Sequence, residues 1–286
     1  METSPFSNTF VVVLAVVSCF LCANAQVNFL KQSCYEEEGT YDIFRASNFP
    51  TNRDQALDHL ASLASSSYFN TNTTGSGPSK SYALFQCRYD VSPQVCQQCV
   101  TAAAKQKIWC LFNVEAIIFY QECTLHYANH SIFGVREDLP RVSVYRTRNV
   151  TDVSKFSTVL TTAITSLINN VILGFPSSSR YFATKDVDYK SNAISTLAQC
   201  NPDITASDCK GCLQSAFGNF TLNYTGSGIG QMYSPTCMLT YRLSSLDDTV
   251  PDSPFNFPSP GTIYEVHALL RILVFVSFFF PFGPLQ

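Results

Sequence analysis

No G-x-S-x-G elbow, no P-loop, no H-E-x-x-H and no Cys/His nucleophile pair occurs in the 286 residues. These absences remove the familiar signatures of acyl transfer, phosphoryl transfer and zinc hydrolysis. Histidine is scarce: His59, His126, His130 and His267 are the four in the chain. Basic runs are lacking too, and 18 Lys and Arg against 21 Asp and Glu leave a net charge of -3. Without a basic patch to neutralise phosphates, nucleic acid is not an expected partner. What the chain does have is cysteine, 12 in all.

The compartment follows from the first residues. Phe10 to Cys22 is almost wholly apolar and ends in Ala23-Asn24-Ala25, a small-x-small cleavage pattern, so residues 1–25 read as a signal peptide. The positive charge that usually precedes such a run is missing, and Glu2 stands in that region. A membrane-spanning helix needs roughly 20 apolar residues, more than this run supplies. Cleavage takes away Cys19 and Cys22 and leaves ten cysteines, an even number suited to pairing in an oxidising pathway. Five N-x-S/T sequons, at Asn72, Asn129, Asn149, Asn219 and Asn223, agree with secretion.

The remaining chain is a duplication. "QCRYDVSPQVCQQC" places Cys87, Cys96 and Cys99 in the spacing C-x8-C-x2-C, and "QCNPDITASDCKGC" repeats it 113 residues later at Cys200, Cys209 and Cys212. The same shift superposes Tyr68 and Phe69 on Tyr181 and Phe182, Leu84 on Leu197, Gln86 on Gln199 and Asp90 on Asp203. After one inserted residue, "CTLHY" from Cys123 to Tyr127 matches "CMLTY" from Cys237 to Tyr241. A period of this length, roughly 105 residues per copy, is a domain rather than a solenoid repeat. The expected domains are 26–137 and 138–246.

Helical spacing of Leu57, Leu60, Leu63 and Ala64 predicts a helix in the first copy, with Thr51 or Asn52 placed to cap it. Phe156, Leu160, Ile164 and Leu167 mark its counterpart. A second helix starts near the C-x2-C and runs through "VTAAAKQKIW". "SYALFQC", "VEAIIFYQECTLHYA" and "MYSPTCMLTYRL" read as strands. Helices on an antiparallel sheet, an α+β domain, is the assembly these elements predict.

Two chemical readings of the cysteine cluster, zinc and redox, compete with structural disulfides. Zinc would recruit His126 and His130, but the gap from the C-x2-C is about twice that of a zinc finger, and the second copy keeps its cysteines with no histidine between Ser131 and His267. The two histidines are instead expected to be solvated, beside the Asn129 sequon. A redox pair at Cys96 and Cys99 would need thiols free to cycle, whereas the cluster comes with further cysteines that need partners. An acidic cluster, Tyr35 to Glu38, could suggest a glycosidase, but it has no equivalent in the second copy and reads as a solvated turn. Structural disulfides remain. The second copy lacks counterparts of Cys34 and Cys110 alone, where Thr147 and either Asn223 or Tyr224 stand, so Cys34 to Cys110 is the economical pair.

"SYALFQC", C-x8-C-x2-C, "CTLHY" and the tandem copy together resemble the plant-specific ginkbilobin-like, or salt-stress/antifungal, domain over residues 30 to 246. Tandem copies of that domain form ectodomains of cysteine-rich receptor-like kinases, cysteine-rich repeat secretory proteins and plasmodesmata-located proteins. The resemblance implies two helices on a five-stranded antiparallel sheet in each copy. It implies the bridges Cys34–Cys110, Cys87–Cys96, Cys99–Cys123, Cys200–Cys209 and Cys212–Cys237. The founding member's mannose site, an Asn, an Arg and a Glu, falls here on Tyr35, Ile117 and Ala128. In the second copy its latter two positions hold Gln231 and Arg242. An aliphatic side chain cannot replace a guanidinium that donates to sugar hydroxyls, so the mannose site is not carried over.

After Leu246 the sequence changes to a Pro/Ser/Asp linker, 247–262, and then an apolar tail, 263–286. Arg271, Pro281 and Pro284 interrupt the tail as a spanning helix, and Ser259 or Gly261 could serve a lipid-anchor signal; spanning segment, lipid anchor and neither all stay open. The expected protein is a non-catalytic, secreted or surface-anchored module without cofactor, binding cell-wall carbohydrate or an extracellular protein and able to pair with a receptor-like kinase. The competing expectation is a directly acting antifungal mannose lectin. With one bridge fewer, the second domain is expected to melt below the first; separate thermal melts of the two domains check this, and a lower midpoint for the first would contradict it.

Overall fold

The computed structural model describes residues 27–35, 47–145, 150–174, 181–223 and 226–244. The expected signal peptide, Glu36 to Glu38, the Asn149 sequon, the Asn223 side chain, the linker and the apolar tail lie outside the described residues. All described residues belong to one compact unit.

Each half follows the same order of elements. In the first, β1 (Phe29–Tyr35), α1 (Phe49–Leu63), β2 (Phe69–Thr74), β3 (Ser81–Cys87), α2 (Pro93–Gln106), β4 (Glu115–Tyr120) and β5 (Cys123–Ala128) follow one another. In the second, β6 (Val142–Tyr145), α3 (Val153–Leu173), β7 (Phe182–Tyr189), β8 (Asn192–Cys200), α4 (Ala206–Asn223), β9 (Ile229–Tyr233) and β10 (Cys237–Leu243) repeat the order. The strands form two antiparallel five-stranded sheets, β1-β4-β5-β3-β2 and β6-β9-β10-β8-β7. The fold is α+β with two domains.

Helix starts follow local chemistry. Ser92 accepts from the Val95 amide ahead of α2, and Asp152 accepts from the Lys155 amide ahead of α3. Thr205 accepts from the Asp208 amide ahead of α4 and donates to the Asp208 carboxylate. The first helix departs from expectation, since Thr51 and Asn52 lie inside α1 and cap nothing. Pro50 explains the earlier start: its fixed φ suits the first turn, where a missing N–H costs nothing. The Asn52 side chain instead donates to the Ser79 carbonyl at 2.7 Å.

Both helices of each domain cover one face of its sheet. Leu57, Leu60, Ala83, Phe85, Val100, Ile118, Leu125 and Tyr127 join the first core, and Phe156, Leu160, Ile164, Leu167, Ile194, Leu213 and Leu239 join the second. Five disulfides pin these layers. Cys87–Cys96 and Cys200–Cys209 tie β3 and β8 to the helix that follows each. Cys99–Cys123 and Cys212–Cys237 tie those helices back to β5 and β10. Cys34–Cys110 closes a separation of 76 residues and joins the two cysteines without counterparts in the second domain. In chain-entropy terms a bridge over such a loop contributes about 4 kcal/mol.

An antiparallel sheet covered on one face commonly leaves the other to water. Here the outer faces of the two sheets meet. Ile117 and Phe119 of β4 pack with Leu197, Tyr233 and Met238 in one buried cluster. The loop after Cys87 reaches into the same contact: the Tyr89 amide donates to Gln199 Oε1 at 3.0 Å, and Gln199 Nε2 donates to the Cys87 carbonyl at 2.7 Å. Gln86, the repeat counterpart of Gln199, donates to that same carbonyl at 2.7 Å. The Tyr89 ring lies 5.6 Å from Phe182 of the second domain. The matching loop of the second domain answers with Asp203, which accepts from the Gly134 amide at 2.8 Å. Gly134 has φ +68°, a conformation that glycine adopts without strain.

Phe119 is fully buried between the sheets. Phe119→Ala is expected to remove about 3–5 kcal/mol and to uncouple the domains. Urea unfolding checks this, since Trp109, the one tryptophan, reports on the first domain while far-UV circular dichroism reports on both. Coincident curves with an unchanged midpoint would contradict it.

Candidate functional site

The segment between the domains folds back over the outer face of the first sheet. Ile132 covers Leu84 and Ala128, and Phe133 packs edge-on against Tyr82 at 5.7 Å. Farther on, Glu137 joins three parts of the molecule. Its amide donates to Thr236 Oγ1 at 3.2 Å, and the Thr236 hydroxyl donates to its carbonyl at 2.8 Å. Its carboxylate turns the other way, toward the first domain, with Oε2 3.7 Å from His126 Nδ1.

His126 corrects the expectation of a solvated residue. It lies in β5 opposite Ile117 and Leu84 and is 1% exposed. Its outward direction follows from strand alternation, because Leu125 and Tyr127 take the core side. The segment carrying Glu137 then closes over it, which no local pattern announces. His126 Nε2 is 3.2 Å from Glu115 Oε1, so one buried imidazole lies between two carboxylates. His130 is about half exposed, with Nε2 3.9 Å from the other Glu115 oxygen.

These groups border an open groove of about 550 Å³ lined by Tyr35, Glu115, His130, Arg136, Glu137, Asp138 and Leu139. Tyr35 pairs with Glu115 across β1 and β4. Arg136 and Asp138 neutralise each other through a two-pronged contact, Nε to Oδ1 at 2.8 Å and Nη2 to Oδ2 at 2.6 Å. That hydrogen bond holds the Asp138 carboxyl below its ordinary value. The guanidinium lies against the backbone of α4 at Gly211, where a Cβ would collide with it. Burial pushes the Glu137 carboxyl up, reinforced by Glu115 and opposed by the two histidines. Burial likewise raises the Tyr35 hydroxyl, with Glu115 and Glu137 adding to the shift. Among the described residues no group of three His, Cys, Asp or Glu is placed to hold a metal ion.

The three positions of the ginkbilobin mannose site do not face one shared opening. Tyr35 borders the groove, Ile117 is 1% exposed inside the interdomain cluster, and Ala128 is buried beneath Ile132. In the second domain, Gln231 accepts from the Tyr233 hydroxyl at 3.2 Å. The groove instead draws on Glu115, Arg136, Glu137 and Asp138. The available signal for them was the dense charge of "VREDLP", 135–140, at the join between copies. Asn129, a sequon residue, adjoins the groove through a 3.2 Å contact from its Oδ1 to His130 Nδ1. Asn72 lies on edge strand β2 and contacts His59 Nδ1 at 2.7 Å. Cys96 and Cys99 are fully buried in their bridges.

Fold and groove together define a class: a disulfide-stapled α+β module in tandem, with its sheets back to back and a polar groove at the join. A family model described as "Salt stress response/antifungal" matches residues 33–130 and 144–244. The chain belongs to that family. Cysteine-rich repeat secretory protein 1 of Arabidopsis thaliana is 33% identical over 229 residues, 78% of this chain and 65% of that protein. Cysteine-rich receptor-like protein kinase 25 of the same plant is 31% identical over 228 residues, 77% of this chain and 33% of that protein. This chain therefore spans just under two thirds of the first relative and one third of the second. The tandem DUF26 ectodomain of the A. thaliana cysteine-rich receptor-like protein PDLP8 shares the fold, with a TM-score of 0.60 at 21% identity over 75% of this chain and 98% of that one.

The junction predicts a pH dependence. The folded protein holds the Glu137 proton more tightly than an unfolded chain does, so this carboxyl favours folding most below its ordinary 4.5. The contribution is lost as pH rises through the raised native value. Glu137→Gln keeps the main-chain bonds to Thr236 and is expected to flatten that part of the profile. Thermal melts of both proteins between about pH 4 and pH 7 check this, and parallel profiles would contradict it.

Proposed function

We propose that the chain is a non-catalytic extracellular binding module of the plant cell surface or wall space, with the groove at the domain join as its ligand site. Its ligand is a carbohydrate or an extracellular protein, recognised in stress, defence or cell-to-cell signalling. Relatives that include a secretory protein and a receptor-like kinase support an extracellular module, and make a receptor-like kinase a reasonable partner class. The observation that carries the reading is the groove itself, open to solvent and edged by paired charges and one aromatic ring. Such an edge offers hydrogen-bond partners for hydroxyls or amides and a face for stacking.

Of the two histidines at this join, His126 is shut between two carboxylates with 2% of its side chain exposed, out of reach of a substrate, while His130 stands open on the groove as part of its polar edge. Against the alternative of an antifungal mannose lectin stand Ile117 and Ala128, which are apolar and covered. We further propose N-glycans at Asn72, Asn129, Asn149, Asn219 and Asn223, the second of them beside the groove. The tail, 263–286, is proposed as the route to membrane association; fractionation with and without phospholipase separates a lipid anchor from a spanning segment.

A glycan and wall-protein array probed with the secreted protein tests the main reading. Mannose is expected to give no signal, and Tyr35→Ala with Glu115→Gln is expected to weaken any ligand that does bind by about tenfold or more. A strong mannose signal, or a ligand indifferent to both substitutions, would refute it.

A further inference from the structure

Nine of the ten bridged cysteines are buried, at 5% exposure or less. Cys34 is the exception: it lies exposed at the end of edge strand β1, bonded to buried Cys110. A disulfide is exchanged by a thiolate that reaches one of its sulfurs, so access divides this bridge from the other four.

The second domain shows what the fold needs. It builds the same strand order and the same pair of helices with Thr147 and Asn223 or Tyr224 at the two positions. The architecture can therefore be built without a bridge at these positions, whereas the bridges of the C-x8-C-x2-C cluster are kept in both copies.

What the bridge does hold is a surface feature. Cys110 ends the 3-10 turn Lys107–Cys110, and its neighbours Ile108, Trp109, Leu111 and Phe112 are 61%, 67%, 45% and 56% exposed. Monomeric proteins seldom display so many large apolar side chains together. The tip has further ties: Arg53 donates to the Leu111 carbonyl at 3.4 Å, Tyr127 to the Cys110 carbonyl at 3.3 Å and Asn113 to the Tyr35 carbonyl at 3.0 Å. Opening the bridge would loosen the tip without releasing it.

We propose that Cys34–Cys110 is an exchangeable disulfide, a modification site whose co-reactant is an external dithiol, and that its state sets how firmly the apolar tip from Ile108 to Phe112 is held. A thiolate of the dithiol attacks Cys34 Sγ and forms a mixed disulfide there. The Cys34–Cys110 bond breaks, and Cys110 leaves as a thiolate that takes a proton from water. The second thiol of the reagent then attacks the mixed disulfide, closes the reagent's own disulfide and releases Cys34 as a thiol. Two electrons pass from reagent to protein, and an oxidant reverses the step.

Graded dithiothreitol on the native secreted protein, followed by alkylation and peptide mass spectrometry, tests this. Cys34 and Cys110 are expected to be labelled at a dithiol concentration about tenfold or more below that needed for the other eight. Trp109 emission is expected to shift in step with that labelling while far-UV circular dichroism stays constant, and reoxidation is expected to restore the emission. The Cys34→Ser/Cys110→Ser double variant should fold and show the emission of the reduced protein. Simultaneous labelling of all ten cysteines, loss of circular dichroism along with the first pair, or a double variant that does not fold would each overturn the proposal.

Discussion

Two sheets, each covered by helices on one side only, share the burial of their other sides. Most of the molecule's particular features follow from that packing. Ile117, Phe119 and Tyr233 lose essentially all exposure there, and each such side chain contributes about 1.5–3 kcal/mol. The polar groups at the contact are accommodated by pairing. Gln86 and Gln199, equivalent residues of the two copies, donate to a single carbonyl at Cys87, so the duplicated sequence meets itself at one point.

The packing also bears on the positions that correspond to the founding member's mannose site, Tyr35, Ile117 and Ala128. The position of its arginine lies on the outer face of β4, and in a tandem molecule that face is where the second domain sits. An isoleucine there serves the interface, whereas an unpartnered guanidinium would be costly to bury. Polar and charged groups gather instead at the margin, where the connecting segment brings Arg136, Glu137 and Asp138 beside Tyr35 and Glu115. The two domains are thereby unequal partners. The first carries the groove, the buried histidine and the extra bridge with its apolar tip; the second supplies Asp203, Thr236 and Gly211, against which the connecting segment rests.

Disulfide placement follows the same division. The bridges that repeat in both copies lie inside the layers, between a strand and the helix after it, where they substitute for core volume that a domain of this size has in limited supply. The bridge that does not repeat ties the edge of a sheet to a surface turn. One kind maintains the layers and the other maintains a local shape.

Much of this was legible in the sequence. The duplication, the α+β class, strand Ser81–Cys87, the buried faces of α1 and α3 and the pairing of the two unmatched cysteines all rest on periodicity or on comparison of the copies, which are local or internal properties. The edge strands β1, β2, β6 and β7 were not legible: "NTNTT" in β2 has no apolar residue to alternate, "VSVY" in β6 is too short a run to mark a strand, and such edges are held by their neighbours. The burial of His126 was not legible either, because strand alternation places it on an outer face without saying what covers that face. By itself the sequence determined two copies of one stapled layer pair, through spacing that recurs every 113 or 114 residues. Only the tertiary structure decided that the copies stand back to back and that a groove opens where Glu137 joins them, because both depend on contacts between residues far apart in the chain, such as Glu137 with Thr236 and Cys87 with Gln199.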